Sequence, residues 1–171
     1  HTRCSCDWSS DVCSSGSSAH ALLFEEFLVR EAEAGRLVLP LGAVAAKAVV
    51  HGHCHQKSFG AFKPVEKVLR LVPGLEVKTI ESSCCGMAGA FGYGADTYQA
   101  SIEMAELSLL PAVRSADQDT LIVADGTSCR HQIKDGSGRT PLHVASVLAI
   151  SLKRAKSNSS RSLPTKEQAH G

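Results

Sequence analysis

The sequence predicts an α/β fold: a three-layer domain in which a small parallel sheet, built from three βα units, follows an extra N-terminal helix. Two observations carry the architecture. Short apolar runs recur from about Lys47 onward, in KAVVHGHC, LEVKTIESSCC and TLIVADGTSC, and each is followed by a stretch with apolar residues at helical spacing. Continuous Val/Ile/Leu runs alternating with helices indicate βαβ units, whose strands are buried on both faces. A third observation concerns chemistry. Cys54, the Cys84-Cys85 pair and Cys129 each fall just past the end of a predicted strand, the edge at which open parallel sheets bind ligands.

Taken in order, residues 1–18 (HTRCSCDWSSDVCSSGSS) are rich in Cys and Ser and lack apolar periodicity. They read as a non-native or disordered segment, and CDWSSDVCSS resembles translated adapter read-through at the broken end of a gene fragment. The competing reading is a small metal knuckle, but Cys4, Cys6 and Cys13 have nothing at the usual spacing to complete a tetrahedral set. The cysteine-rich domain is expected over residues 19–154, and residues 155–171, rich in Ser, Lys and Arg, as a disordered tail.

Within the domain, Ala19 to Gly35 reads as an amphipathic helix carrying Leu22, Leu23, Phe27 and Val29, with Gly35 as its C-cap. After the first apolar run, a helix is expected from about Lys63, with Phe62, Val65, Leu69 and Val72 at helical spacing and Pro64 in its first turn. After the second, a long helix from about Ala95 aligns Tyr98, Ile102, Ala105, Leu109 and Val113. After the third, a helix through Thr140-Pro141 to Leu152 aligns Leu142, Ala145, Leu148 and Leu152.

Bulk properties bound the function. The chain has 171 residues, a formal net charge of +1 and 43% hydrophobic residues, enough for one core. It has no Lys/Arg stripe, so nucleic acid is a poor partner. No run of about 18 apolar residues is present to cross a membrane, and no secretory leader pattern opens the chain. Seven cysteines at irregular spacing suggest thiols used for metal or redox chemistry in a reducing compartment, hence a cytoplasmic location.

Four thiols from three strand ends make a full ligand set for zinc or for iron–sulfur iron. Two thiolates on adjacent residues reach a single tetrahedral ion with difficulty, but can serve two metals of a cluster. Gly86 and Gly89, in CCGMAGAFGYG, allow backbone N–H groups to approach sulfur. Histidines crowd the same edge. His51, His53 and His55 would share one side of a continuing strand; hydrogen bonding within the loop accounts for His51 as well as ligation does. His53, His55 and His131 are candidates either for ligation or for donating hydrogen bonds to a bound cluster. Lys57 either offsets thiolate charge or is solvated. Thiol chemistry is a separate reading: a vicinal Cys84-Cys85 disulfide, or Cys54 with His53 or His55 as a nucleophile and base.

HGHCHQKSFGAF, ESSCCGMAGAFGY and DGTSCRHQI together resemble the cysteine-rich CCG domain found in the B subunit of heterodisulfide reductase, the glycolate oxidase iron-sulfur subunit and lactate-utilisation proteins. The stretch from Ala19 to Leu152 is still more similar to the C-terminal end of fused flavoproteins of the bacterial D-2-hydroxyglutarate dehydrogenase kind. The resemblance implies an electron-transfer domain. Its metal ligands would be Cys54, Cys84, Cys85 and Cys129, holding an iron-sulfur cluster, with zinc as the alternative. It implies FAD in a part of the parent chain that is not in these residues, FAD-linked oxidase and ferredoxin-like domains as partners, and a quinone or another acceptor. It also implies a cytoplasmic location, extending to peripheral association at the inner face of the membrane. The related family ends in CxxC, whereas this chain has Cys129-Arg130-His131-Gln132, which leaves the cluster type open. With no FAD-binding domain and no ferredoxin cysteine run in the sequence, the piece alone is expected not to be catalytic.

Overall fold

A computed structural model of the chain describes residues 21–82 and 84–161. The expectations for residues 1–18 and for most of the tail lie outside the described residues. The order of elements is α1 (Phe24–Glu33), β1 (Ala46–His51), α2 (Cys54–Ser58), α3 (Phe62–Arg70), β2 (Leu75–Thr79), a 3-10 turn (Phe91–Tyr93), α4 (Tyr98–Glu106), α5 (Leu109–Ser115), β3 (Leu121–Ala124), α6 (Thr127–Ser137) and α7 (Val144–Arg161).

The three strands form one parallel sheet in the order β2-β1-β3. Val50 of the central strand is level with Thr79 on one side and Val123 on the other. Side chains alternate across the pleat, so β1 and β3 feed two cores, whereas the edge strand β2 packs one face and exposes Glu76 and Lys78 on the other. Ala48, Val50 and Val123 pack with Val65, Val68 and Leu69 of α3, Leu28 of α1, and Val144, Val147 and Leu148 of α7. Ile122, Ala124 and the partly buried Val49 pack with Leu109 and Val113 of α5 and Ile133 of α6. Helices thus cover both faces, as the apolar runs predict.

Several boundaries differ from the sequence expectation. The single long helix from Ala95 is two helices, α4 and α5. Pro111 has no N–H for the Leu107 carbonyl, and its ring collides with that carbonyl in a continuous helix, so the chain breaks at Leu107 and Ser108. Ala105, Leu109 and Val113 are buried as expected, but Tyr98 is exposed.

The helix expected through Thr140 and Pro141 begins only at Val144. Leu142 instead forms a bridge beside Val123, exchanging backbone hydrogen bonds with Ile122 and Ala124. The buried stripe of α7 is therefore Val144, Val147, Leu148 and Ser151, and Ala145 faces outward. α7 also runs past Leu152 to Arg161, through Lys153, Arg154, Ala155 and Lys156, which are all strong helix formers. α6 was not anticipated, because its polar sequence TSCRHQIKDGS buries only Cys129, Gln132 and Ile133.

Candidate metal centre

β1 lies in the middle of the sheet, with its connection to β2 on one side and β3 on the other. The crevice beyond the ends of β1 and β3 is therefore the topological switch point, the usual place for a ligand in such sheets. The cysteine segments meet there. Cys54 opens α2 after β1, Cys84 and Cys85 follow β2, and Cys129 lies in the first turn of α6 after β3.

Cys85 and Cys129 are both buried, with their sulfurs 3.2 Å apart. Cys54 and Cys84 lie close enough to influence one another's ionisation. All four thiols act electrostatically on Cys129 or are Cys129 itself. The hydrogen bond from Cys129 holds the Cys85 thiol down to about 4, against the opposing effect of burial; His51 and the Met87 backbone N–H add to the stabilisation. The same bond, followed by burial, pushes Cys129 up. The contact thus favours ionisation of Cys85 over that of Cys129. Burial, then the neighbouring Cys84, raises Cys54.

Two glycines let this packing happen. Gly86 has φ +85°, a conformation that L side chains rarely adopt. Its N–H donates to Cys84 Sγ at 3.3 Å, and its carbonyl accepts from Ser101 Oγ at 2.8 Å. A Cβ on Gly126 would lie 2.4 Å from His53 Cδ2 and 3.0 Å from Cys129 Sγ, so only glycine fits between them. Gly89 has φ +57° and open space around it.

The histidines separate. β1 ends at His51, so the alternation expected to align His51, His53 and His55 does not continue. His51 shares a strand face with Val49, the face on which Cys85 and Cys129 lie. One ring nitrogen of His51 and the sulfurs of Cys85 and Cys129 lie within 4.8 Å of one another. His51 Nδ1 meets Ser82 Oγ at 2.8 Å, while among the described residues the buried Nε2 has no hydrogen-bond partner. A buried polar nitrogen without a partner costs free energy, and ligation of a metal would remove that cost. The sulfur and nitrogen donors present therefore fit a thiolate-bound metal.

His53 caps α2, its Nδ1 accepting the His55 N–H at 3.2 Å. Burial, then the neighbouring His55, lowers its pKa. His55 is exposed, with its ring 5.2 Å from that of His53. His131 is exposed on α6 and meets Tyr93 OH at 2.8 Å through Nδ1. Lys57 is not a solvated cation, since its Nζ donates to the Ser82 carbonyl and anchors the loop leading to the cysteine pair.

Fold and site together define a thiol-rich parallel α/β domain whose ligand-binding edge carries a donor set able to hold a metal. Its relatives are parts of redox enzymes. The chain is 30% identical over 142 residues to the C subunit of anaerobic glycerol-3-phosphate dehydrogenase from Escherichia coli strain K12, which is 83% of this chain and 35% of that protein; the O157:H7 protein matches equally. It is 31% identical over 80 residues to D-2-hydroxyglutarate dehydrogenase of Escherichia coli K12, which is 47% of this chain and 8% of that protein. The chain thus spans about a third of the first relatives' length. No family model and no solved structure matches. This homology agrees with the resemblance to CCG-type domains of oxidoreductases. Among the described residues, no helix is long and apolar enough to cross a membrane.

Proposed function

We propose that this chain is an electron-transfer domain of a dehydrogenase that oxidises a 2-hydroxy acid or a related alcohol, and that Cys54, Cys84, Cys85 and Cys129 hold an iron-sulfur cluster. The observation that carries this is the close approach of His51, Cys85 and Cys129, with Cys54 and Cys84 on the same strand-end loops and, among the described residues, no partner for the buried His51 Nε2. When bound, the cluster would supply one-electron transfer between a flavin and an acceptor. The chain's own residues provide the rest. The contact between Cys85 and Cys129 sets their sulfurs side by side, both as thiolates once a cluster is held, Gly86 N–H stabilises charge on Cys84, and Ser82 orients His51.

The domain we propose spans residues 19–154, with α7 carrying helical structure onward to Arg161. Its proposed partners are FAD-linked oxidase and ferredoxin-like domains, with a quinone or another compound as acceptor. The proposed location is the cytoplasm, extending to the inner face of the membrane. His53, His55 and His131 are proposed as hydrogen-bond donors around the site, and Gly86 and Gly89 as the loop that accommodates it.

One observation favours a second reading. His51, Cys85 and Cys129 alone form a compact set of a kind suited to a single zinc ion, which would make the domain a metal-stapled docking module. Anaerobic purification with iron, sulfide and zinc analysis and EPR separates the two. Iron with acid-labile sulfide is expected, lost in Cys85→Ser with the far-UV circular dichroism retained. Stoichiometric zinc without iron would remove the electron-transfer reading, and full iron retention in Cys85→Ser would remove the ligand assignment.

A further inference from the structure

A second cluster of donor atoms lies on the opposite face of the sheet from the buried cysteines. Ala124, the last residue of β3, lies on the cysteine side, whereas Asp125 just beyond it accepts the N–H of Val144 at the start of α7. There it meets Glu25 of α1 and His143, which precedes α7. One ligand atom from each of Glu25, Asp125 and His143 lies within 4.8 Å of the other two. The three come from distant parts of the chain, and tertiary packing alone brings them together.

They line a cavity of about 630 Å³ that also includes His53, Phe24 and Phe59 in its wall. The cavity lies beyond the ends of β1 and β3, at the same switch point, and none of the four cysteines lines it. His53 stands between the two sites, its ring packed against Gly126.

Asp125 is tied in place. Its Oδ1 accepts the Val144 N–H at 3.1 Å and its Oδ2 accepts Gln56 Nε2 at 3.2 Å, which leaves further lone pairs on both oxygens. Glu25 is not tied. It is 4% exposed, lines the cavity, and accepts only its own backbone N–H; among the described residues no other donor reaches its carboxylate. Burial, ahead of every other influence, raises the pKa of Glu25, because desolvation disfavours the charged carboxylate.

The remaining contact has the wrong length for a hydrogen bond. His143 Nε2 is 3.6 Å from Asp125 Oδ1, beyond the usual limit of about 3.2 Å. It is close to the separation of about 3.4 Å expected between two ligands on one tetrahedral ion with bonds of about 2.1 Å.

We propose that Glu25, Asp125 and His143 form a binding site for a divalent first-row transition-metal cation, separate from the thiol centre. Two carboxylates and an imidazole suit zinc or manganese, whereas the soft thiolates on the other face do not suit manganese. Three protein ligands leave a coordination position facing the cavity for water or an exchangeable oxygen ligand. Binding requires the Glu25 carboxylate in its ionised form.

Ligation has one structural consequence. His143 Nδ1 now accepts the Ala145 N–H at 3.1 Å. Coordination through Nε2 requires the imidazole proton on Nδ1, so this contact at the start of α7 is released when the cation binds.

Manganese titration followed by the EPR signal of free Mn²⁺ tests the site on the whole chain, because thiolates compete poorly for this ion. One bound Mn²⁺ per chain is expected, displaced by Zn²⁺, with faster amide exchange at Ala145 on binding. Glu25→Gln and His143→Ala are each expected to weaken binding at least about tenfold, whereas Cys85→Ser is expected to retain it. Glu25→Gln preserves shape and removes an unpaired acid, so it carries the test if His143→Ala fails to fold. Absence of bound Mn²⁺ at about 1 mM, unchanged affinity in a folded Glu25→Gln, or equal loss in Cys85→Ser overturns the proposal.

Discussion

Replacing Gly86 by alanine tests how the cysteine loop is held. An L-residue at φ +85° costs about 1–2 kcal/mol. The new Cβ would also sit 2.1 Å from the Ser101 carbonyl oxygen and 2.9 Å from its carbon. These are backbone atoms of α4, so no rotamer change removes the clash, and forced displacement in a packed region costs about 1–3 kcal/mol more. Moving the loop would also disturb Ser101 Oγ, which donates to the Gly86 carbonyl, and Gln132 Nε2, which reaches both Ser101 oxygens at 3.0 Å. The expected destabilisation is about 2–5 kcal/mol in total. Gly89→Ala is the matched control, since Gly89 has φ +57° but nothing within 4 Å of an added methyl, and only the conformational cost of about 1–2 kcal/mol applies. Urea unfolding followed by far-UV circular dichroism measures both. Equal losses in the two variants would show that the contact with α4 does not hold the loop, and would refute the reasoning.

Three further outcomes follow from the packing and the thiol pair. Arg139→Ala should lose about 2–3 kcal/mol in urea unfolding, because its guanidinium donates to the carbonyls of Ala116, Asp117, Gln118 and Thr120 and closes the turn into β3; a loss under about 0.5 kcal/mol would mean that water replaces it fully. Leu109→Ala, at a side chain with no exposed surface between α5 and the sheet, should cost about 2–5 kcal/mol, read as a lower urea midpoint at unchanged slope. In metal-free protein the Cys85 pKa is lowered to about 4, so its thiolate ultraviolet absorbance should persist as pH falls from about 8 to 5 and disappear below. Cys85→Ser should lack this signal, and a titration near the ordinary thiol value of about 8.5 would contradict the favoured ionisation of Cys85.

Much of the architecture was legible because it follows from local periodicity. The runs KAVV and TLIV could be buried on both faces only in a covered parallel sheet, whereas LEV proved an edge strand with Glu76 exposed on one face. A cysteine just past each run could then lie only near the ligand-binding edge. Where local pattern misled, a specific competing effect prevailed. Pro111 interrupted a helical face that still matched in period. Pairing with β3 took Leu142 out of the helix expected there. α6 escaped notice because a helix packed along one narrow side needs few apolar residues.

The sequence by itself determined which chain segments carry the thiols and that they end at one edge, since strand direction and side-chain period are local properties. It did not contain the strand order. With β1 in the centre, Cys85 and Cys129 come from opposite flanks yet meet at 3.2 Å, and His51 lies beneath them rather than in line with His53 and His55. Glu25, Asp125 and His143 carry no motif because they are 100 and 18 residues apart along the chain. Only the packing of α1 and α7 against the same face of the sheet brings them together, since the long-range contacts that decide such meetings have no signature in local spacing.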